Sequence, residues 1–418
     1  MSVPEAKVTG LRARQVCALL AGGMVLLATS GCGAGSSSGS NSGTPGGTTP
    51  TPPTAVNNTL SIQAGSGATN QFFNLLLTSV TACVPGTGNC QTIPNVLVDT
   101  GSTGLRLLSA SLTITLPAVS DSAGNPLGNC IGFAGNTYAW GPVATADVQL
   151  AGETASKVPI QIINASGFPA APEACSAGGA NTDASSLGAN GILGIGVTQQ
   201  DCGSACATSL GGVPAVYFGC PSSGCVAEAV SLQQQLQNPV GLFPQDNNGV
   251  VINLPALDAG GDPSASGSLV FGIGTQTNNA LAGVQIYTTD QVGNFTVTFN
   301  GSSYSESFLD TGSNGYFFLN ANSLGVPTCP VNTDFYCPAA TMNYSAITSG
   351  TNGTQNTIVF SIANANTLFN TGNNVFNDVG GPNVGGFDLG LPFFFGRTVY
   401  VAIEGASASG FTGPYYAF

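Results

Sequence analysis

The phrase Asp-Thr-Gly-Ser occurs twice in this chain, in NVLVDTGSTGLRLL (Asn95–Leu108) and in SFLDTGSNGYFFL (Ser307–Leu319). The two aspartates, Asp99 and Asp310, stand 211 residues apart in a chain of 418. Apolar residues precede each, as in strands buried on both faces. One such tetrapeptide in a chain rich in Thr, Gly and Ser reads as a turn. Two, each ending an apolar run and each opening a comparable half, point to a fold made of two related halves.

The chain contains no histidine, which excludes a Ser-His-Asp triad, a Cys-His pair and a His-ligated zinc. Carboxylates remain as the acids and bases. Two of them held about 3 Å apart cannot both ionise, so they share a proton, one serving as base and one as acid towards a water. The neighbours of Asp99 and Asp310 suit that use. Gly101 and Gly312 allow a tight turn that brings N–H groups close to the carboxylate. Ser102 and Ser313 offer hydroxyl donors, and Thr100 and Thr311 can bond across to the opposite loop. This chemistry needs no metal and no cofactor.

The first thirty residues read as an export signal. Lys7, Arg12 and Arg14 give a basic start, VCALLAGGMVLLA an apolar run, and TSGC puts small residues before Cys32. The pattern resembles a bacterial lipoprotein signal with Cys32 as the lipid anchor; an ordinary secretory signal cleaved nearby is the alternative. The run is too short and too Gly-broken for a membrane span. Gly33, by resemblance to lipoproteins lacking Asp at that place, points to the outer membrane, on its periplasmic or its cell-surface side.

Cleavage at Cys32 removes three of six basic residues and one of nineteen acids, leaving three bases against eighteen acids, a net charge of −15. Such a surface repels nucleic acid and anionic membrane. Few ion pairs exist to be lost as carboxylates protonate, which permits acid tolerance. Without Cys17 and Cys32, ten cysteines remain: Cys83, Cys90, Cys130, Cys175, Cys202, Cys206, Cys220, Cys225, Cys329 and Cys337. An even number in an exported chain suggests up to five disulfides. Cys83/Cys90 and Cys329/Cys337 look like hairpin staples. The group Cys202, Cys206, Cys220 and Cys225 reads as two disulfides rather than a thiolate zinc site.

Four segments follow: a signal at 1–31, a Gly/Ser/Pro/Thr-rich tether at 32–58, and two β-rich lobes at 59–280 and 281–418 carrying Asp99 and Asp310. Short β-like runs dominate beyond Thr59, among them FFNLLLTSV, SLTITL, ADVQLA, GVVINL, FTVTFNG and TVYVAI. One helix is expected near AVSLQQQLQ, and PFFFG (Pro392–Gly396) reads as a buried strand rather than a binding patch.

The chain resembles the pepsin-like, two-lobed aspartic peptidases, in which each lobe supplies one Asp-Thr/Ser-Gly turn. ANGILGIG (Ala189–Gly196) and GGFDLGLPFFFGRTVYVAI resemble the apolar-apolar-Gly strands that cross beneath the aspartate loops. SLQQQLQNPVGLFPQDNNGVVINL followed by GSLVFGIG (Gly267–Gly274) resembles the helix and strands closing the first lobe. The order is right and the likeness covers most of Thr59–Phe418. It implies a mostly-β, bilobal double-psi β-barrel architecture with a cleft between the lobes. It also implies a flap carrying a Tyr; IGFAGNTYAWGPVATADVQLAG occupies that interval, with Tyr138 and Trp140 as candidates and Phe133 in another register. Arg106 departs from the family's usual aromatic, either pairing with a carboxylate or lying on the surface, and LGLPFFFG lacks the usual acid after Leu-Gly.

The expectation is an exported, lipid-anchored, monomeric aspartic endopeptidase that binds an extended polypeptide between its lobes and hydrolyses it with a water held by Asp99 and Asp310. The alternative is a pepsin-fold surface or periplasmic binding lipoprotein that does not cleave. Glycoside hydrolysis fits less well, because it needs carboxyls about 5–9.5 Å apart.

Overall fold

The computed structural model describes residues 57–208 and 215–418. The expected signal, Cys32 and the tether as far as residue 56 lie outside the described residues. Asn57 and Asn58, at the end of the expected tether, are already fixed: Asn58 is buried and its Nδ2 donates to Phe271 O at 2.8 Å.

Strands dominate, as the alternation of apolar and polar residues predicts. Six of them close on themselves: Leu75–Cys83, Cys90–Asp99, Gly191–Ile195, Thr103–Leu108, Glu153–Ile163 and Thr137–Leu150, the last pairing back to the first through Ala82 and Val148. Closure leaves no free edge within the barrel. Its interior holds Val80, Val96, Val98, Leu105, Leu107, Val148, Ile160 and Leu193, each fully buried.

The second half forms a half-barrel in the order Gln355–Ile362, Met342–Ser349, Phe295–Phe299, Ser302–Asp310, Asp388–Gly390, Tyr316–Phe317 and Gly380–Gly381. Here aromatic packing replaces closure: Phe318 contacts Phe299, Tyr344, Phe360 and Phe387, with rings 4.9–6.0 Å apart. Such pairs add about 0.5–1.5 kcal/mol each beyond the area they bury.

A third layer belongs to both halves. Thr59–Gly65, Ala265–Phe271, Gly249–Asn253, Thr398–Ala402, Tyr415–Ala417 and Ile286–Thr288 run side by side, three strands from each side of residue 280. The seam is the pairing of Val251 with Tyr400. One apolar core runs through all of this, from Ile62 and Leu193 to Leu309, Leu389 and Val401.

Five disulfides pair the ten cysteines: Cys83–Cys90, Cys130–Cys175, Cys202–Cys206, Cys220–Cys225 and Cys329–Cys337. Only Cys130–Cys175 spans a long segment, 45 residues, so it restricts the unfolded chain most, by about 4 kcal/mol on a loop-entropy account.

Three local expectations are corrected. SLTITL forms no strand, because the Gln91 side chain takes its backbone groups instead, donating to Ser111 O and accepting from Thr113 N, each at 2.7 Å. SLQQQLQ makes turns rather than a helix; Leu236 N donates to the Tyr217 hydroxyl and Leu236 O accepts from Asp201 N, so its backbone is spent on tertiary partners. PFFFG is buried as expected but not extended: Leu391–Phe393 form a 3-10 turn with Pro392 near its start. Among the described residues no helix is long and apolar enough to cross a membrane.

Candidate active site

Each aspartate ends a strand that runs parallel to a glycine-bearing strand. Asp99 lies beside Gly194, with Leu97 beside Ile192; Asp310 lies beside Gly390, with Phe308 beside Asp388. The strand leaving each turn, Thr103–Leu108 or Tyr316–Phe317, then pairs antiparallel with the same glycine strand. The two turns are thus held by the same arrangement, and the fold brings them into contact.

The contact is reciprocal. Thr100 N donates to the Thr311 hydroxyl at 3.1 Å, and Thr311 N to the Thr100 hydroxyl at 3.0 Å. The Thr100 hydroxyl in turn donates to Leu309 O at 3.2 Å, and that of Thr311 to Val98 O at 2.7 Å. All four bonds are buried, where an unpaired polar group costs about 1–3 kcal/mol, so neither threonine can leave without exposing its partners. The glycines are equally constrained. A Cβ on Gly101 would stand 2.5 Å from Asp310 Cγ, and one on Gly312 would stand 2.7 Å from Asp99 Oδ1. Each turn therefore lies directly against the opposite carboxyl, and only glycine fits.

Donors converge on both carboxyls. Gly101 N donates to Asp99 Oδ1 at 2.8 Å and Ser102 Oγ to Asp99 Oδ2 at 2.5 Å. Gly312 N donates to Asp310 Oδ1 at 2.7 Å and Ser313 Oγ to Asp310 Oδ2 at 2.9 Å. Burial, and next the charge of Asp310, hold the Asp99 carboxyl well above the usual carboxylate range, against the pull of Ser102; the two carboxyls are also within hydrogen-bonding reach of each other. A pair so placed titrates as one unit. Asp99 and Asp310 are both 0% exposed, and Gly101 is the half-buried point of the site.

A buried polar network stands behind the first turn. Arg106, 0% exposed, donates from one guanidinium nitrogen to Thr103 O at 2.7 Å and from the other to Asp201 Oδ2 at 3.1 Å. Asp201 also accepts from Asn129 Nδ2 at 3.2 Å and from the Tyr217 hydroxyl at 2.6 Å. The surface placement of Arg106 is excluded, and pairing with a carboxylate is what the fold builds. Burial pushes Asp201 up, while Arg106, Tyr217 and Asn129 pull it down. Neither Asp201 nor Tyr217 stood out in the sequence; the buried Arg needed a counter-charge, but nothing in the spacing names which.

The flap candidates lie in the hairpin of Leu127–Phe133 and Thr137–Leu150. Trp140 is nine-tenths buried and its Nε1 donates to Pro169 O at 2.7 Å, with Phe168 and Phe218 against the indole. Tyr138 packs at the edge of the same cluster, around Cys130–Cys175 and Cys220–Cys225. Among the described residues no hydrogen bond joins either ring to the aspartate turns. Phe133 is buried in a separate apolar cluster with Ile131 and Ile163.

The second turn holds a group that the sequence did not single out. Asp388, 5% exposed, places Oδ2 2.6 Å from Ser313 Oγ, the hydroxyl that also serves Asp310. No curated protein matches the chain. Residues 53–418 match a family described only as a protein of unknown function, DUF3443, and this mostly-β, disulfide-bonded chain with its two facing aspartate turns belongs to that family.

Proposed function

We propose that the chain is an aspartic endopeptidase with a pepsin-like bilobal architecture. The observation that carries the reading is the reciprocal threonine bonding that presses two donor-rich, buried carboxyls together. One carboxyl of the pair holds the shared proton and the other carries the charge. The charged one takes a proton from a water as it attacks the scissile carbonyl. The shared proton passes to the carbonyl oxygen, and the proton taken from water then goes to the leaving amine. Extended polypeptide, bound by strand-like hydrogen bonds, is the substrate class. Export and anchoring through Cys32 to the outer membrane, as a monomer, complete the proposal; ten paired cysteines favour an oxidising compartment.

A second reading is a binding protein of the same fold that does not cleave. The complete burial of both carboxyls favours it, because neither offers surface to a substrate carbonyl. The discriminating experiment incubates the exported chain with unfolded protein between about pH 3 and pH 7, with and without a statine-type peptide inhibitor. Inhibitor-sensitive cleavage that disappears in both Asp99→Asn and Asp310→Asn supports the peptidase. Cleavage that survives both substitutions rejects it, and inhibitor binding without cleavage establishes the second reading.

A further inference from the structure

The two aspartate turns differ at one hydroxyl. Ser102 Oγ serves a single carboxyl, Asp99. Ser313 Oγ lies between two, 2.9 Å from Asp310 Oδ2 and 2.6 Å from Asp388 Oδ2. Asp388 occupies the place in its glycine strand that Ile192 occupies in the first half. All three residues of the second cluster are at least 95% buried.

A hydroxyl carries one proton and cannot donate to two carboxylates at once. Two ionised carboxyls round one such donor would leave one contact repulsive in a buried setting. The contact becomes favourable on both sides when one carboxyl is protonated and donates to Oγ while Oγ donates to the other. Asp310 also accepts from Gly312 N, so two donors converge on its carboxyl and favour the carboxylate form there. We propose that Asp388 is a positioning residue: as a carboxylic acid it donates to Ser313, so that the Ser313 proton is committed to Asp310. The site is then a cluster of three carboxyls holding two protons. This rests on reading Asp99 and Asp310 as the hydrolytic pair.

The titratable groups on the elements packed against Asp388 are few. The strand Ser302–Asp310 carries Glu306 and Asp310, and Asp99 lies across the turn. The strand Tyr316–Phe317 carries Tyr316, with Arg397 hydrogen-bonded to its hydroxyl and Asp378 near it. When Asp388 ionises, its charge competes for the Ser313 proton. Asp310 then loses a donor and becomes a stronger base, so proton release at Asp388 and at the pair are coupled.

The test counts protons without relying on hydrolysis. Carboxyl carbon NMR of aspartate-labelled protein is recorded across pH, with Asp388 assigned by difference from Asp388→Asn, or from Asp388→Glu if the amide variant does not fold. The expected result is that Asp388 is still protonated at about pH 6, some two pH units above an ordinary aspartate, and that Ser313→Ala removes the dependence of the Asp310 signal on Asp388. The pH profile of hydrolysis by Asp388→Asn is expected to show one fewer step in its alkaline limb, because the amide N–H donates to Ser313 as the acid does but does not titrate. An Asp388 signal already ionised at about pH 6 overturns the inference. A chain that cleaves nothing yet keeps Asp388 protonated loses the peptidase reading, and the positioning role with it, and keeps only the protonated Asp388–Ser313 contact.

Discussion

Behind Asp99 stands a buried cation, Arg106, locked to Asp201; behind Asp310 stands a third carboxyl, Asp388. Counted from each aspartate, Arg106 corresponds to Phe317, and across the glycine strands Ile192 corresponds to Asp388. Backbone, threonines, glycines and serines are the same in the two turns. The groups supporting them have opposite polarity. Such a pair is symmetric in geometry and unsymmetric in charge, and it is the second property that can give two chemically identical residues separate roles.

The largest expected effect tests whether the pair acts as one unit. Asp99→Asn and Asp310→Asn should each lower peptide hydrolysis by about 10²–10⁴-fold; a variant that keeps wild-type kcat/KM would show that the two turns do not share a proton.

Next, Arg106→Met should destabilise the chain by about 3–5 kcal/mol in a denaturant midpoint, because it leaves Asp201 buried and uncompensated. Asp201→Leu in the same chain should recover most of that loss. No such rescue pair exists for Phe317, whose deletion to Ala removes packing alone.

A smaller effect bears on what the turns have in common. Thr100→Val and Thr311→Val each strand a buried N–H and C=O on the opposite turn, and should cost about 1–3 kcal/mol apiece. The two costs should agree; a large inequality would mean that one turn is held chiefly by its own half.

The pH dependence sharpens the comparison further. A carboxyl that binds its proton more tightly in the folded chain adds stability below its unfolded value, near 4, and that stability is lost as pH rises through the folded value. Asp99 is shifted up by burial and by Asp310, and burial also raises Asp201, Asp378, Glu153 and Glu228. Stability should therefore decline as pH rises above about 4, with Asp99 contributing a slope of at most about 1.4 kcal/mol per pH unit. Asp99→Asn should flatten that part of the curve, and a midpoint that rises with pH in the wild type would contradict the burial of these carboxyls.

Much of this was legible in the sequence, for a physical reason. Asp99 and Asp310 follow uninterrupted apolar runs, and Gly101 and Gly312 mark backbone that must lie against something. Apolar runs also placed many strands, including NVLVD, the second half of Cys90–Asp99, and GVVINL, which covers Gly249–Asn253. They failed where side chains replaced the backbone ladder, as Gln91 does for SLTITL, and where tertiary bonds claimed SLQQQLQ. Asp388 was hidden because one acid inside an apolar strand looks like noise until its neighbour across the sheet is known. Trp140, the only tryptophan, stands out in the sequence by its rarity, whereas its partners Pro169 and Phe218 show a packing role.

The layer shared by both halves bears on how the molecule is made. Val251 finds its partner in Tyr400, about 150 positions later, and Tyr416 pairs with both Val401 and Tyr287. An emerging chain cannot complete that layer before Tyr415–Ala417 is free, so assembly of the layer waits on that strand. Pairings of such long range are slow to form, and a half released early would present an unfinished sheet edge to its neighbours.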